Sequence, residues 1–404
     1  MLIYRLCKFH ANLVAMFAGK KEKRRRKRKQ ILDKYALEFL KKPQNFDLIK
    51  IQELTQDIYF PLDLESAERI IIILVPEWND MSGGIYSMFS IAAHLRRMKP
   101  KHGYDVVIMT RPNKQDLTYF RNSNFINSEN VYRFSQIERL KNVKEIYLQI
   151  PEYVTVDFVD NLTDDEFNFL SHVKKLDINI LNQNIKLMPE EEKFWPLRRI
   201  ADSVTQSVAH HAYFSQKMAD KYDLPTLLLP AYTDLSNYPK TSFEEKKKLI
   251  IYSPDSAPFK EVVLNKIRKN LPEFQLLEIK DITFDKYMEY ATDCMFSISF
   301  GEGFDGYVAQ PIYQGGLGLT VYNEDFFPSK KYKDYPVFFE SSKAMQNEIC
   351  EKILYFSKHP DAYKKLNRKI VEEFNKLYNY DEYVEQIRKL ADKKFEIFPS
   401  QKLK

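Results

Sequence analysis

Ile70–Val75 reads IIIILV, six apolar residues with no polar break. Ser82–Lys99 follows as SGGIYSMFSIAAHLRRMK: a serine and two glycines, then Ile85, Met88, Phe89, Ala92 and Leu95 at helical spacing. A strand with one wet face alternates apolar and polar residues. One that does not alternate is covered on both faces, which is the condition of a strand inside a parallel sheet. The same reading extends to YDVVIM (104–109), EIYLQI (145–150), LDINIL (176–181) and SVTQSVA (203–209), each separated from the next by helical or polar sequence. Strands of this kind alternating with helices predict a doubly wound α/β unit.

The pattern restarts after the polar stretch Thr233–Lys248, TDLSNYPKTSFEEKKK. LIIYS (249–253), FQLLEI (274–279), CMFSIS (294–299) and LGLTVY (317–322) are expected strands, and KEVVLNKIRKNL (260–271) and FDKYMEYA (284–291) expected helices. Beyond His359 the chain is charged and helical, with Leu366, Ile370, Phe374 and Leu377 on one face. The expected organisation is an N-terminal extension over 1–45, a first Rossmann-like unit over 46–240, a second over 241–358, and helices over 359–404 that pack back across both units.

Composition supports two packed cores: 404 residues, 44% hydrophobic and 14% aromatic, which excludes a disordered chain. The three cysteines, Cys7, Cys294 and Cys350, are scattered and form neither a zinc spacing nor a disulfide framework, which suits a reducing cytoplasm.

Charge is concentrated. Lys20–Lys29, KKEKRRRKRK, holds nine bases and one acid, a contribution of +8 to a chain whose net charge is +6, so the remainder carries −2. Ahead of this run, which includes Arg24, Arg25 and Arg26, the residues Leu2, Leu6, Phe9, Leu13, Met16 and Phe17 recur at steps of three and four, the mark of an apolar helical face. The segment is too short and too charged to cross a bilayer, and its charge follows the apolar part, unlike a signal peptide. An apolar face followed by a polybasic run fits the surface of an anionic membrane. A solvated linker and a nucleic-acid arm are the other readings, and the slightly acidic remainder argues against nucleic acid as a partner. The expected location is peripheral, on the cytoplasmic face of a membrane.

Three strand-to-helix junctions carry the functional signal, because ligands of open α/β sheets bind at the carboxyl ends of the strands. In NDMSGGIYS (79–87), Gly83 and Gly84 let a ligand approach the backbone where a helix begins; the spacing is neither a dinucleotide fingerprint nor a phosphate-binding loop of the Walker type. In YSPDSAPFKE (252–261), Ser253 opens a loop and Lys260 stands at a helix start, a position unfavourable for a cation unless an anion binds there. In SFGEGFDGYVAQPIYQGG (299–316) lie five of the chain's ten glycines. Glu302 is there held in a glycine-flanked turn, suited to accepting hydrogen bonds from hydroxyls, with Gln310 further along the following helix and Pro311 expected in that helix's first turn. No acidic cluster requires a metal; Asp164 and Asp165 read as a helix start.

Ser299–Phe304 with Gln310 eight positions after Glu302 resembles the E-x7-E signature of retaining GT-B glycosyltransferases of family four. In matching order, VAHHAYFSQKMADKYDLPTLLLPAYTD (208–234) resembles the end of that family's first domain, DITFDKYMEYATDCMFSIS (281–299) its loop, helix and strand before the signature, and QGGLGLTVYN (314–323) the segment after it. ILNQNIKLMPEEEKFWP (180–196) is loosely similar to an acceptor-side segment of rhamnosyltransferase-type members and points to Asn184. The resemblance implies two Rossmann-like domains across a cleft, a nucleoside-diphosphate sugar as donor, a glycan or lipid-linked glycan as acceptor, and hexosyl or deoxyhexosyl transfer with retention, without metal or other cofactor. It implies that Glu302 and Lys260 serve catalysis. Gly83, Gly84, Ser253, Ile282, Gly303, Phe304, Asp305, Gly306 and Gln310 would line the donor. Three positions depart from the family pattern: Gln310 replaces a glutamate, Asp305 replaces a glycine, and no arginine precedes Lys260.

Overall fold

The computed structural model describes residues 2–16, 23–24, 27–28, 31, 60–76, 83–111, 130–230, 232, 238–280, 282 and 284–400. It contains two parallel sheets. The first has seven strands in the order β3-β2-β1-β4-β5-β6-β7. These are β1 (Arg69–Val75), β2 (Asp105–Thr110), β3 (Val131–Arg133), β4 (Glu145–Pro151), β5 (Lys175–Asn182), β6 (Ser203–Val208) and β7 (Thr226–Leu228). The second has five, β8 (Lys247–Tyr252), β9 (Gln275–Glu278), β10 (Cys294–Ile298), β11 (Leu317–Val321) and β12 (Phe338–Phe339), in the order β12-β11-β10-β8-β9.

The apolar run at Ile70 explains itself in this arrangement. Ile70, Ile72 and Leu74 enter one core, and Ile71, Ile73 and Val75 enter the core on the other face. A two-residue period feeding two cores leaves no position for a polar residue. The second sheet repeats the division, with Ile250 on one side and Leu249 and Ile251 on the other. Both units are therefore doubly wound, as the sequence predicts. The edge strands β3, β7 and β12 were not expected; at two or three residues each they are too short to show a period.

In each sheet the strand order reverses at one place. β1 pairs with β2 on one side and β4 on the other, and β8 lies between β9 and β10. Crossovers leave such a strand in opposite directions, so a crevice opens at its carboxyl end. The loops after β4, β8 and β10 and the start of the helix that follows β1 are the segments at these carboxyl ends.

The chain ends by tying the units together. The helix Pro360–Leu377 contributes Tyr363, Leu366 and Ile370 to a core of the second unit. The helix Tyr380–Ala391 contributes Tyr383, Ile387 and Leu390 to a core of the first. Beyond it, Ile397 pairs antiparallel with Thr226 at the β7 edge. Lys393 reaches the amino ends of β4 and β5, donating to Glu145 at 2.7 Å and Asp177 at 2.5 Å. Glu145 also accepts from Arg69 at 2.8 Å and from the Tyr104 hydroxyl. Residues Leu2–Met16 form a helix, as the apolar spacing predicts. The expected apolar positions Phe9, Leu13 and Met16 are exposed on it, while Ala11 and Ala15 are buried. Arg24 is exposed; Phe17, Arg25 and Arg26 lie outside the described residues, as do the side chains of Leu2 and Leu6.

Burial opposes the charge on Glu145, but Lys393, Tyr104 and Arg69 outweigh it and hold the carboxyl down at about 2, from an ordinary 4.5. A depressed folded value means that stability contributed by Glu145 is present above pH 4.5 and lost as the pH falls towards 2. We expect Glu145→Gln to lower the thermal midpoint most at about pH 6, and the gap to wild type to narrow as the pH drops to about 3. A gap that stays constant across that interval contradicts this account of the clasp.

Candidate functional site

The second unit supplies a loop held from beneath. β8 and β10 are knitted at their carboxyl ends by Ser253, whose N–H donates to Ile298 at 2.9 Å and whose Oγ accepts from the Phe300 N–H at 3.0 Å. Ser253 is fully buried, so it shapes the loop from below. Phe304 is likewise an anchor: its ring packs against Tyr332 at 4.9 Å and Phe327 at 5.4 Å, inside the core. Only its backbone is available to a donor. Gly303, at φ 128°, adopts a conformation that favours glycine, and a side chain there would press on the Phe327 ring at 3.0 Å.

Asp305 caps the helix Gly306–Tyr313, accepting from the Val308 N–H at 3.3 Å through one oxygen and from the Ser299 hydroxyl through the other. Burial, joined by the charge of Asp255 and opposed by these bonds, pushes its carboxyl up to about 7. Because the cap fixes the helix start at Gly306, Pro311 lies inside the helix and not in the expected first turn. The Gln310 side chain turns back beside Gly306.

Lys260 begins the helix Lys260–Asn270 and is only 11% exposed. Its ammonium donates to the carbonyls of Ser253 and Asp255 and to the Glu278 carboxylate at the end of β9, each at 3.0 Å. The penalty expected for a cation at a helix start is thus offset by two carbonyls and a carboxylate within the protein. Ile282 is partly buried against the core cluster that includes Phe284 and Tyr287.

Glu302 stands at the tip of its loop. Asn323 donates to its backbone carbonyl at 3.2 Å. Its carboxylate faces the first unit and accepts from the Asn184 side-chain amide at 2.5 Å. Burial raises the Glu302 pKa; Lys186 opposes that, Asp255 adds to it, and the Asn184 bond opposes it.

The first unit presents Asn184 directly after β5. The neighbouring Gln183 donates through its side chain to the Gly84 carbonyl at 3.1 Å, where the helix Gly83–Arg97 begins. Gly83 stands open beside it. Under this turn lies Glu152, one residue past β4 and 3% exposed, whose two oxygens accept the backbone N–H groups of Gln183 and Asn184, both at 3.2 Å. Burial pushes its carboxyl up to about 7, the backbone N–H bonds lower it, and the charge of Glu302 raises it. His210 follows β6; burial holds it down at about 4, so the ring is neutral at physiological pH.

Two aromatic contacts join the units beside these residues. The Tyr86 ring, in the first turns of the Gly83–Arg97 helix, stacks on Phe284 at 6.4 Å. Phe326, 2% exposed, sits with its ring edge-on to His210 at 5.6 Å and beneath the Lys186 ammonium at 4.9 Å. Sequence reasoning missed Glu152, Gln183, His210, Tyr86 and Phe326. The one available signal was an acidic residue immediately after a buried strand, PE following EIYLQI.

Glu302 and Asn184 are therefore brought together, with Gly84 one hydrogen-bonded residue away. Lys260 and Ser253 lie on the floor of the second unit's crevice, and Gln310 and Asp305 along its helix. Among the described residues, no group of three or more His, Cys, Asp or Glu could hold a metal ion, and no helix is long and apolar enough to cross a membrane.

No protein-family model matches the chain, and no curated protein matches it in sequence. Solved structures do resemble it. Sucrose-phosphate synthase from Thermosynechococcus elongatus gives a TM-score of 0.48 at 11% identity, covering 81% of this chain and 99% of that one. A glycosyltransferase from Rickettsia africae gives 0.49 at 8% identity, covering 81% and 98%. A DNA-modifying beta-glucosyltransferase gives 0.39 at 10% identity, covering 80% and 100%. Identity this low leaves the function to the chain's own residues.

Proposed function

We propose that the chain is a glycosyltransferase that moves a sugar from a nucleoside-diphosphate sugar to a growing, lipid-linked glycan. The observation that carries this reading is the bond between Glu302 and Asn184, one from each side of the crevice. A carboxylate that accepts, facing an amide that both donates and accepts, is a ready-made seat for a hydroxyl. A sugar hydroxyl entering between them donates to Glu302 and accepts from Asn184, so both residues keep a partner when the direct bond opens.

The remaining roles follow from position. Gln310 accepts from ribose hydroxyls, more weakly than a charged residue would. The open backbone at Gly83, with Gly84 beside it under the Gln183 side chain, meets the diphosphate from the first unit, with Gly303, Asp305 and Gly306 on the opposite side. Lys260 stabilises the leaving charge when its ammonium exchanges Glu278 for a phosphate oxygen. With retention, the bond from the anomeric carbon to the leaving phosphate breaks on the face where the acceptor oxygen bonds. The acceptor's proton passes to the departing diphosphate. No metal takes part.

A second reading, a non-catalytic protein that binds a glycan or nucleotide, draws on Lys260, already engaged with Glu278, and on Asp305, already occupying the helix start. Release of free nucleoside diphosphate only when acceptor is present separates the two.

Glu302→Gln is expected to fold normally and to lower kcat/KM by about a hundredfold or more, as for loss of one transition-state contact. The donor is found first by thermal stabilisation across a panel of nucleotide sugars. Undiminished turnover in Glu302→Gln refutes the role given to the carboxylate.

The helix Leu2–Met16 supports a peripheral membrane location, since Phe9, Leu13 and Met16 are 66%, 46% and 64% exposed. Apolar burial and the basic run after it would act together at an anionic cytoplasmic surface. Removing residues 1–29 is expected to shift the protein from vesicles containing anionic lipid to the supernatant, with donor binding unchanged. Equal sedimentation of the truncated and full chains rules this location out.

A further inference from the structure

Glu152 is a buried acid to which the proposed reaction gives no role. We infer that it is a positioning residue: by accepting two consecutive backbone N–H groups it fixes the turn after β5, so that Gln183 braces Gly84 and Asn184 meets Glu302. The chain of contacts is continuous. The carboxylate holds the Gln183 and Asn184 amides at 3.2 Å each; Gln183 then reaches the Gly84 carbonyl at 3.1 Å, and Asn184 reaches Glu302 at 2.5 Å. One side chain thereby sets two contacts of the crevice, the helix start at Gly84 and the hydroxyl seat.

The chemistry of the residue supports this over a packing role. Glu152 is 3% exposed. No lysine or arginine pairs with it among the described residues. A buried carboxylate without a cation is costly, and apolar packing would fill the space more cheaply. What only a carboxylate supplies is two acceptor oxygens side by side. A glutamine in its place offers one oxygen and turns an NH2 towards the second amide, breaking half of the clamp. Position agrees with chemistry: β4 adjoins β1 at the strand-order reversal, so the residue just past β4 lies at the mouth of the first unit's crevice.

The kinetic part of the test rests on the proposed transferase reading; the structural part does not. In full-length protein, amide hydrogen exchange at Gln183 and Asn184 is measured without substrate for wild type, Glu152→Gln and Glu152→Asp. Turnover is measured for these and for Asn184→Ala and the double variant Glu152→Gln/Asn184→Ala. We expect slow exchange at both amides in wild type and fast exchange of at least one of them in Glu152→Gln. Turnover in Glu152→Gln should fall about ten- to a hundredfold, the scale of a small misplacement of a reacting group. The double variant should lose less than the product of the two single losses, because Glu152 acts in part through Asn184. Glu152→Asp, which keeps both oxygens, should recover part of the loss and provides the readout if Glu152→Gln does not fold. Unchanged exchange, losses that multiply in the double variant, or a lower thermal midpoint with normal turnover each overturn the inference. If wild type transfers no sugar, the transferase reading fails, and the exchange data alone decide: release of at least one of the two amides in Glu152→Gln upholds the positioning role, and continued protection of both overturns it.

Discussion

A parallel sheet whose strand order reverses cannot close its own carboxyl edge, because the loops leaving the two central strands turn to opposite faces. The proposed site hangs on that constraint being met twice. In the first unit the gap lies between β1 and β4, and it is rimmed by the start of the Gly83–Arg97 helix and by Glu152. In the second it lies between β8 and β10, and Ser253 stitches those strands together so that the loops above them are held at fixed height. The Glu302 loop rises from the second gap and meets the Asn184 turn of the first.

Electrostatics then decides what the crevice accepts. Asp305 and Glu302, with Asp255 close to both, share one rim, and each carboxyl is raised by burial and by a neighbouring charge. Lys260 is bound to Glu278, so the rim offers a potential ligand mainly acceptors. Hydroxyls satisfy acceptors without bringing in a charge of their own, which favours sugar at this edge. On the proposed reading, a diphosphate would find its donors deeper, at the open Gly83 backbone and on Lys260 once Glu278 lets go. On that reading, sugar and phosphate of one ligand would meet chemically different walls, and exchange at Lys260 would be the step on which donor affinity turns.

How much of this the sequence disclosed depended on how local the cause was. β1 announces itself, because burial on both faces removes every polar residue from its run of six, and β2, β4 and β5 follow as apolar-rich runs spaced by helical sequence, with only isolated polar residues such as Gln149 and Asn179 inside them. Glu302 was legible for the same kind of reason: glycines cluster where a turn needs them, and five of ten stand in one stretch. Lys260 was visible as a cation at a helix start, but its partner was not. Glu278 lies 18 residues away and meets it only because β9 pairs with β8. Glu152 was hidden by the same logic, since its amide partners are 31 and 32 residues distant on the turn after a neighbouring strand. Phe304 looked like a loop residue near a ligand, whereas the aromatic ring is what nails the loop to the core. Periodicity reports burial within one element; it is silent on which loops the sheet order brings side by side.

The arrangement across the crevice also has a covalent reason. The chain passes from the first unit to the second after β7, and returns between Leu377 and Tyr380, where only Tyr378 and Asn379 separate a helix rooted in one core from a helix rooted in the other. Tyr378 is itself gripped from both sides, stacked on Phe374 of the second unit at 4.5 Å and edge-on to His211 of the first at 5.4 Å. Lys393 and the Ile397 pairing then lock the returning segment to the far end of the first sheet. Two crossings constrain relative position far more than one, because a single linker leaves each unit free to turn about it. The hydrogen bond between Asn184 and Glu302 is one weak contact, worth about 1 kcal/mol on its own. It is the double tether and the aromatic pairs beside it that hold the two residues within reach, and the bond itself can then open for a ligand without the units losing their register.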